Sequence, residues 1–295
     1  MDILHPSLPT PLQELSHKIL DEAGVKLYIK RDDLIHPVVS GNKWRKLKYN
    51  LSAAKSSGQD VVVTFGGPYS NHLYATAAAT NAIGMRSIGI VRGEEKETPT
   101  IDFCRNHGMD IRFVSRDEYR QRNSISYLFN LIKILGNAFI IPEGGTSGHG
   151  LKGVAEMVHE TSKQLSQHVD YYAVAAGTGG TAAGILSAKA DVLAFSALKG
   201  GDFLKADIDE LLEQYKDRGN LTLLTDYHFG GYAKWNDDLL DFLIWFKTEF
   251  DIQTEQVYTA KMLYGLFDLI QKKHFKPGTT IVAVHTGGLQ GLIKT

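Results

Sequence analysis

Short β-rich runs alternate with helix-length patterns through most of the chain, and this alternation restricts the fold more than any other feature. VKLYIK (25–30), DVVVTF (60–65), RSIGIV (86–91), DIRFV (110–114), AFIIP (138–142), YYAVAA (171–176), LTLLTDY (221–227) and TTIVAV (279–284) read as strands. Helical patterns fall between them at 42–56, 70–83, 98–107, 117–135, 148–167, 180–190, 205–217, 236–249 and 258–273. Several strands are apolar almost throughout, as strands are when helices cover both faces of a sheet. The expected class is α/β, with open, mostly parallel twisted sheets. The strand–helix units from about 50 to 150, entered and left through SGNK and EGGTSGHG, form a smaller domain, leaving 1–49 and 151–295 for a larger, discontinuous one.

The composition excludes several functions. A net charge of -1 over 295 residues argues against a broad nucleic-acid or polyanion surface. The single cysteine, Cys104, excludes an internal disulfide, fits a reducing compartment and reads best as a packing residue. The start, MDILHPSLPT, lacks a basic region followed by an apolar run, and YYAVAAGTGGTAAGILSA is too rich in Gly and Thr to span a membrane. A cytoplasmic location is expected.

Against that near-neutral background, SGNKWRKLKYNLSAAK (40–55) carries five cations. Such runs usually coat a solvated helix face. Here Ser40 or Asn42 can cap a helix whose apolar face is Trp44, Leu47, Leu51 and Ala54, which puts Lys43 in the first turn. The helix dipole disfavours a cation there, and Lys46 lies beside it at i+3, so both lower the pKa of Lys43. A lysine so placed is a candidate amine nucleophile for a carbonyl.

Three further glycine-containing turns follow strands. In AAGTGGTAAG (175–184), Gly177, Gly179 and Gly180 let backbone approach a phosphate, and Thr178 and Thr181 add hydroxyls. The same stretch fits the dinucleotide pattern G-x-G-x-x-A, but no acid ends the following strand, VLAFSAL. A plain strand–helix turn is the remaining alternative. In FGGPYSNHLYATAAA, Ser70 and Asn71 sit where an N-cap belongs. Ser70, Asn71 and His72 also offer hydroxyl, amide and imidazole groups to a carboxylate at a positive helix end. In AVHTGGLQG, Thr286 stands at a strand end, where its hydroxyl can face a pyridine nitrogen. A reactive lysine, a phosphate cradle and a carboxylate site together suggest pyridoxal phosphate with an amino acid as substrate.

The ordered set IKRDDL, SGNKWRKL, GGPYSNH, IPEGGTSGHG, AAGTGGTAAG, FGGYA, VYTAK and HTGG resembles the 1-aminocyclopropane-1-carboxylate deaminase/D-cysteine desulfhydrase family. These are fold-type II pyridoxal-phosphate enzymes, related to the tryptophan synthase β subunit, and the resemblance runs from about Lys30 to Gly288. It implies two domains around a cleft and a homodimer. It implies Lys43 as the Schiff-base lysine and Lys46 as a phosphate ligand. Asn71 is then on the cofactor's phenolic oxygen, and Ser70 and His72 on the substrate carboxylate. Gly177, Thr178, Gly179, Gly180 and Thr181 form the phosphate cup, with Tyr232 and Tyr258 flanking the substrate.

The branch is read from three positions. The ring-opening enzymes carry glutamate, leucine and glutamine where this chain has Thr259, Thr286 and His72, as the D-cysteine branch does. With no charge from Thr259 beside the pyridine nitrogen, the electron sink is weaker, and α,β-elimination from D-cysteine is the expected chemistry, with ring opening as its alternative. Departures from the family pattern are SGNK for GGNK, Trp44, Lys48, and Tyr69 beside the carboxylate grip, where it bears on the substrate. A protein that binds the cofactor without turnover is the alternative of another class. The intact Lys43, Ser70 and Tyr258 argue against it.

Overall fold

The structure, a computed structural model, describes residues 4–292. In chain order the first elements are β1 (Leu12–Leu15), α1 (Lys18–Ala23), β2 (Lys26–Lys30), α2 (Gly41–Ser56), β3 (Val61–Gly66), α3 (Asn71–Ala82) and β4 (Arg86–Arg92). Next come α4 (Pro99–Asn106), β5 (Met109–Val114), α5 (Arg116–Arg120), α6 (Ile125–Leu135), β6 (Ala138–Ile141) and α7 (Gly148–Gln164). The rest are β7 (Tyr171–Ala176), α8 (Gly180–Ser187), β8 (Val192–Ser196), α9 (Leu204–Leu211), β9 (Leu221–Leu224), α10 (Asp237–Phe250), α11 (Thr259–Gln271) and β10 (Thr280–Val284).

The chain divides into two compact units. Of the described residues, the first holds 4–6, 36–39 and 43–153, and the second holds 7–35, 40–42 and 154–292. The sheet of the first unit has the order β5-β4-β3-β6, all parallel. Every residue of β3 is buried, which is why VVVTFG shows no alternation. One core of this unit gathers Val61, Val63, Phe65, Ile88, Ile90 and Tyr119, and another gathers Leu73, Ala77, Val91, Ile101, Cys104 and Met109. Cys104 is therefore a packing residue, and its burial pushes the thiol's pKa up to about 12.

The sheet of the second unit has the order β1-β2-β10-β7-β8-β9. Its pairings are parallel except at the β1 edge, where Leu12–Leu15 runs antiparallel to β2. Its core sets Leu27, Ile29, Phe195, Ile281 and Ala283 against Phe246, Leu263, Leu266 and Ile270.

The α/β class and the parallel strands follow the expected pattern. The pattern 117–135 resolves into two helices, because Ser124 caps a new start by accepting from the Tyr127 N–H. β1 and α1 have no counterpart in the sequence reading. α1 is six residues long, started by His17 Nδ1 accepting from the Ile19 N–H and stopped by the left-handed Gly24.

Candidate active site

The sequence-predicted residues collect into two groups, one on each unit. In the first unit, Lys43 is the third residue of α2 and Trp44, Leu47, Leu51 and Ala54 are its buried face, as the spacing requires. The cations beside it are not a solvated coat, since Arg45 and Lys46 are each 1% exposed. Lys46 Nζ donates to the Gly144 carbonyl at 3.2 Å, and its pKa is pulled well down by burial and by Lys43. Lys43 is half-buried, and among the described residues its amine makes no hydrogen bond or ion pair. Loss of hydration lowers it to about 8, so its uncharged amine is a minor form at neutral pH and becomes the main form above about pH 8.

Ser70 caps α3 as expected, its Oγ accepting from the N–H of His72 at 3.2 Å and of Leu73 at 3.3 Å. Two accepted bonds leave the Ser70 hydroxyl hydrogen to give. Asn71 opens the helix, and Tyr69 is 53% exposed with Lys96 over its ring. The His72 ring is buried, and its Nε2 lies 2.8 Å from Thr64 Oγ1, whose own hydrogen goes to the Ile141 carbonyl. That pattern assigns the proton to Nε2 and leaves Nδ1 as a buried acceptor without a partner. Burial, then Lys43 and Lys46, hold the ring's pKa far down. His72 is thus a neutral wall group, and its side chain offers a carboxylate no charge. Thr64, which sets this tautomer, lies eight residues upstream on β3 and gave no local signal.

In the second unit, β7 leads through Gly177 and Thr178 into α8, and Gly179 sits at the N-cap with φ 72°. A side chain at Gly179 would be strained in this left-handed backbone, and its Cβ would lie 2.6 Å from Ile208 Cγ1. A glycine turn at the positive end of a helix suits an anion. Thr181 is held from the side, because Asn42 Nδ2 donates to its Oγ1 at 2.9 Å. Asn42 is therefore not a cap but the second residue of α2, its amide spent on the glycine turn. Its own N–H reaches the Thr286 carbonyl at 3.3 Å, which brings the strand-end turn after β10 to the same place. The Thr286 hydroxyl makes no hydrogen bond among the described residues.

Tyr258 packs on the glycine turn so closely that a Cβ on Gly177 would lie 3.0 Å from its ring. Tyr232 meets Tyr258 edge to face at 6.0 Å. Thr259 follows Tyr258 into α11 and is fully buried, its hydroxyl donating to Glu255 Oε1 at 2.9 Å and accepting from the Glu255 N–H at 3.2 Å. Glu255 was not foreseen. Its carboxylate accepts from the N–H groups of Val257, Tyr258 and Thr259 and so caps α11. The signal was present as an acid just ahead of a helix, but Glu is an unusual cap.

Both groups fit pyridoxal phosphate: in one a lysine with a lowered pKa and, among the described residues, no partner for its amine, and in the other a glycine turn at a helix N-terminus beneath an aromatic ring. The family described as "Pyridoxal-phosphate dependent enzyme" matches residues 3–287. The chain is 32% identical over 311 residues to the "Bifunctional D-cysteine desulfhydrase/1-aminocyclopropane-1-carboxylate deaminase, mitochondrial" of Arabidopsis thaliana, covering 97% of this chain and 77% of that protein. It is 28% identical over 310 residues to the "D-cysteine desulfhydrase" of Klebsiella pneumoniae, covering 96% and 93%. Among solved structures, one titled as an ACC deaminase homologue superposes with a TM-score of 0.83 at 31% identity, covering 96% of this chain and 90% of that one. Among the described residues no helix is long and apolar enough to cross a membrane.

Proposed function

The chain belongs to the pyridoxal-phosphate-dependent enzyme family, and from that premise we propose that it is a lyase taking D-cysteine to pyruvate, ammonia and hydrogen sulfide. The observation that carries this is Lys43: a first-turn lysine, half-buried, without a partner among the described residues, and lowered to about 8.

Lys43 would hold the cofactor through its amine, and the N–H groups and hydroxyls of Gly177, Thr178, Gly179, Gly180 and Thr181 would hold the phosphate, with Lys46 supporting that end. Asn71 donates to the phenolic oxygen. Ser70 gives its free hydroxyl hydrogen to the substrate carboxylate beside Tyr69, while the neutral His72 ring shapes the wall behind. Tyr258 and Tyr232 close over the substrate. When bound, pyridoxal phosphate supplies an electron sink that stabilises negative charge at the substrate's α-carbon.

With the cofactor bound, Lys43 Nζ would take the substrate's α-proton as a neutral amine, and the β-thiol would leave with a proton as hydrogen sulfide. Thr259 has only an acceptor site left, whereas Thr286 retains a hydrogen to donate, which suits an unprotonated ring nitrogen and a moderate sink. The cyclopropane acid has no α-hydrogen, so Lys43 has no α-proton to take from it. The resemblance further supports a cytoplasmic homodimer.

Borohydride reduction of the loaded protein, followed by peptide mass spectrometry, should place the label on Lys43. D-cysteine should give pyruvate and sulfide, and the cyclopropane acid little 2-oxobutyrate. A label elsewhere sinks the lysine assignment, and efficient ring opening sinks the choice of substrate while sparing the cofactor.

A further inference from the structure

Lys261 is the third residue of α11 and is 1% exposed, yet none of the steps above uses it. Its Nζ donates to the carbonyls of His228 and Gly231, each at 2.8 Å. These are backbone oxygens of the turn that leads directly into Tyr232. The turn is one the chain would not hold unaided. Phe229 and Ala233 both have φ 51°, a left-handed conformation that side chains disfavour, and Gly230 and Gly231 have φ 92° and 117°. Its internal bonds are the Gly230 N–H to His228 Nδ1 at 2.9 Å, the Gly231 N–H to the His228 carbonyl at 3.0 Å and the Lys234 N–H to the Gly231 carbonyl at 3.2 Å.

A buried ammonium is a poor way to gain stability alone, since desolvation offsets most of the attraction and an apolar side chain often does better. Burial lowers Lys261 to about 8, against a smaller opposing pull from Glu255. What the ammonium supplies is direction, because two charge-assisted bonds to two carbonyls admit one turn geometry. Lys261 and Tyr258 stand on the same helix start, where Glu255 clamps the Tyr258 N–H at 3.0 Å. One helix end thus fixes both members of the edge-to-face pair.

We propose that Lys261 is a positioning residue that anchors the 228–231 turn and so sets where Tyr232 stands against Tyr258. This rests on the reading of the two tyrosines as substrate-flanking.

The test uses the cofactor-loaded protein with Lys261→Met, and with Lys261→Gln, which keeps a donor, in case the first folds poorly. Hydrogen exchange should rise locally at 228–234 and not across the β7–β8 core. The KM for D-cysteine, or the dissociation constant read from cofactor absorbance for an amino acid that is not turned over, should rise about tenfold with a smaller change in kcat. Adding Lys261→Met to Tyr232→Ala should cost little beyond Tyr232→Ala alone. Unchanged exchange at 228–234 overturns the proposal, as does a wild-type KM in Lys261→Met when Tyr232→Ala raises it. A wild-type KM in Tyr232→Ala instead defeats the role of Tyr232, a separate result that leaves exchange to decide whether Lys261 holds the turn.

Discussion

Asn42 donates its side-chain amide to the Thr181 hydroxyl at 2.9 Å, tying the start of α2 to the first turn of α8. The bond fixes the rotamer of Thr181, the second residue of α8. Asn42→Ala should weaken cofactor binding by about 1 kcal/mol, the usual net value of one such bond. Titration of the cofactor-free protein with pyridoxal phosphate checks this. An equal loss in Thr181→Val, with no further loss in the double variant, would show that the two act as one unit.

Lys43 should declare its lowered pKa by reactivity. A lowered ammonium pKa means that the nucleophilic neutral form appears at lower pH. In the cofactor-free protein, reductive alkylation of Lys43 should therefore rise through a midpoint near the value of about 8. Exposed lysines should continue to gain reactivity up to about 10.4. Mass spectrometry of labelled peptides across a pH series reads both. Lys43→Ala should remove turnover and leave the fold intact, since alanine suits a first-turn position.

At the glycine turn, Gly179→Asp combines two penalties. The left-handed backbone and the Ile208 contact strain the free protein, and the carboxylate meets the incoming phosphate. Calorimetry should show lower stability without cofactor, and pyridoxal phosphate should no longer raise the melting temperature as it does for the native protein.

Thr259→Glu, the change that copies the ring-opening enzymes, meets an obstacle behind it. The hydroxyl it replaces donates to the buried Glu255 carboxylate, so two carboxylates would face one another. Alone it should destabilise the protein by about 3 kcal/mol. Adding Glu255→Gln should restore part of that loss, and Thr286→Leu on this background should then raise 2-oxobutyrate formation from the cyclopropane acid. Chemical denaturation and a product assay follow the two effects separately.

Legibility in the sequence followed the range of the forces involved. The strands, and the helix placing Lys43 in its first turn, were visible because apolar spacing is local, as was the Ser70 cap. Thr64 and Lys261 were not, because their partners lie 8 and 30 or more residues away along the chain. Asn42 read as a cap from its neighbours alone, and only Thr181, 139 residues on, gives its amide another use. Nor does composition show that Arg45 and Lys46 are buried, since a charge run on a helix usually meets solvent.

The strand order of the second unit also governs the sequence of events at the ribosome. β10 pairs with β2 on one side and β7 on the other, yet it is the last strand made. Until residue 284 has emerged, β2 and β7 face a missing neighbour, and the backbone N–H and C=O groups of those edges wait unpaired. The parallel sheet of the first unit is complete in the nascent chain by β6, at Ile141. Synthesis therefore produces one finished sheet and holds the other open from Ile141 until Val284 has been made, a long exposure of aggregation-prone edges. A stop codon between β9 and β10 removes the keystone of a sheet whose other strands have already been made.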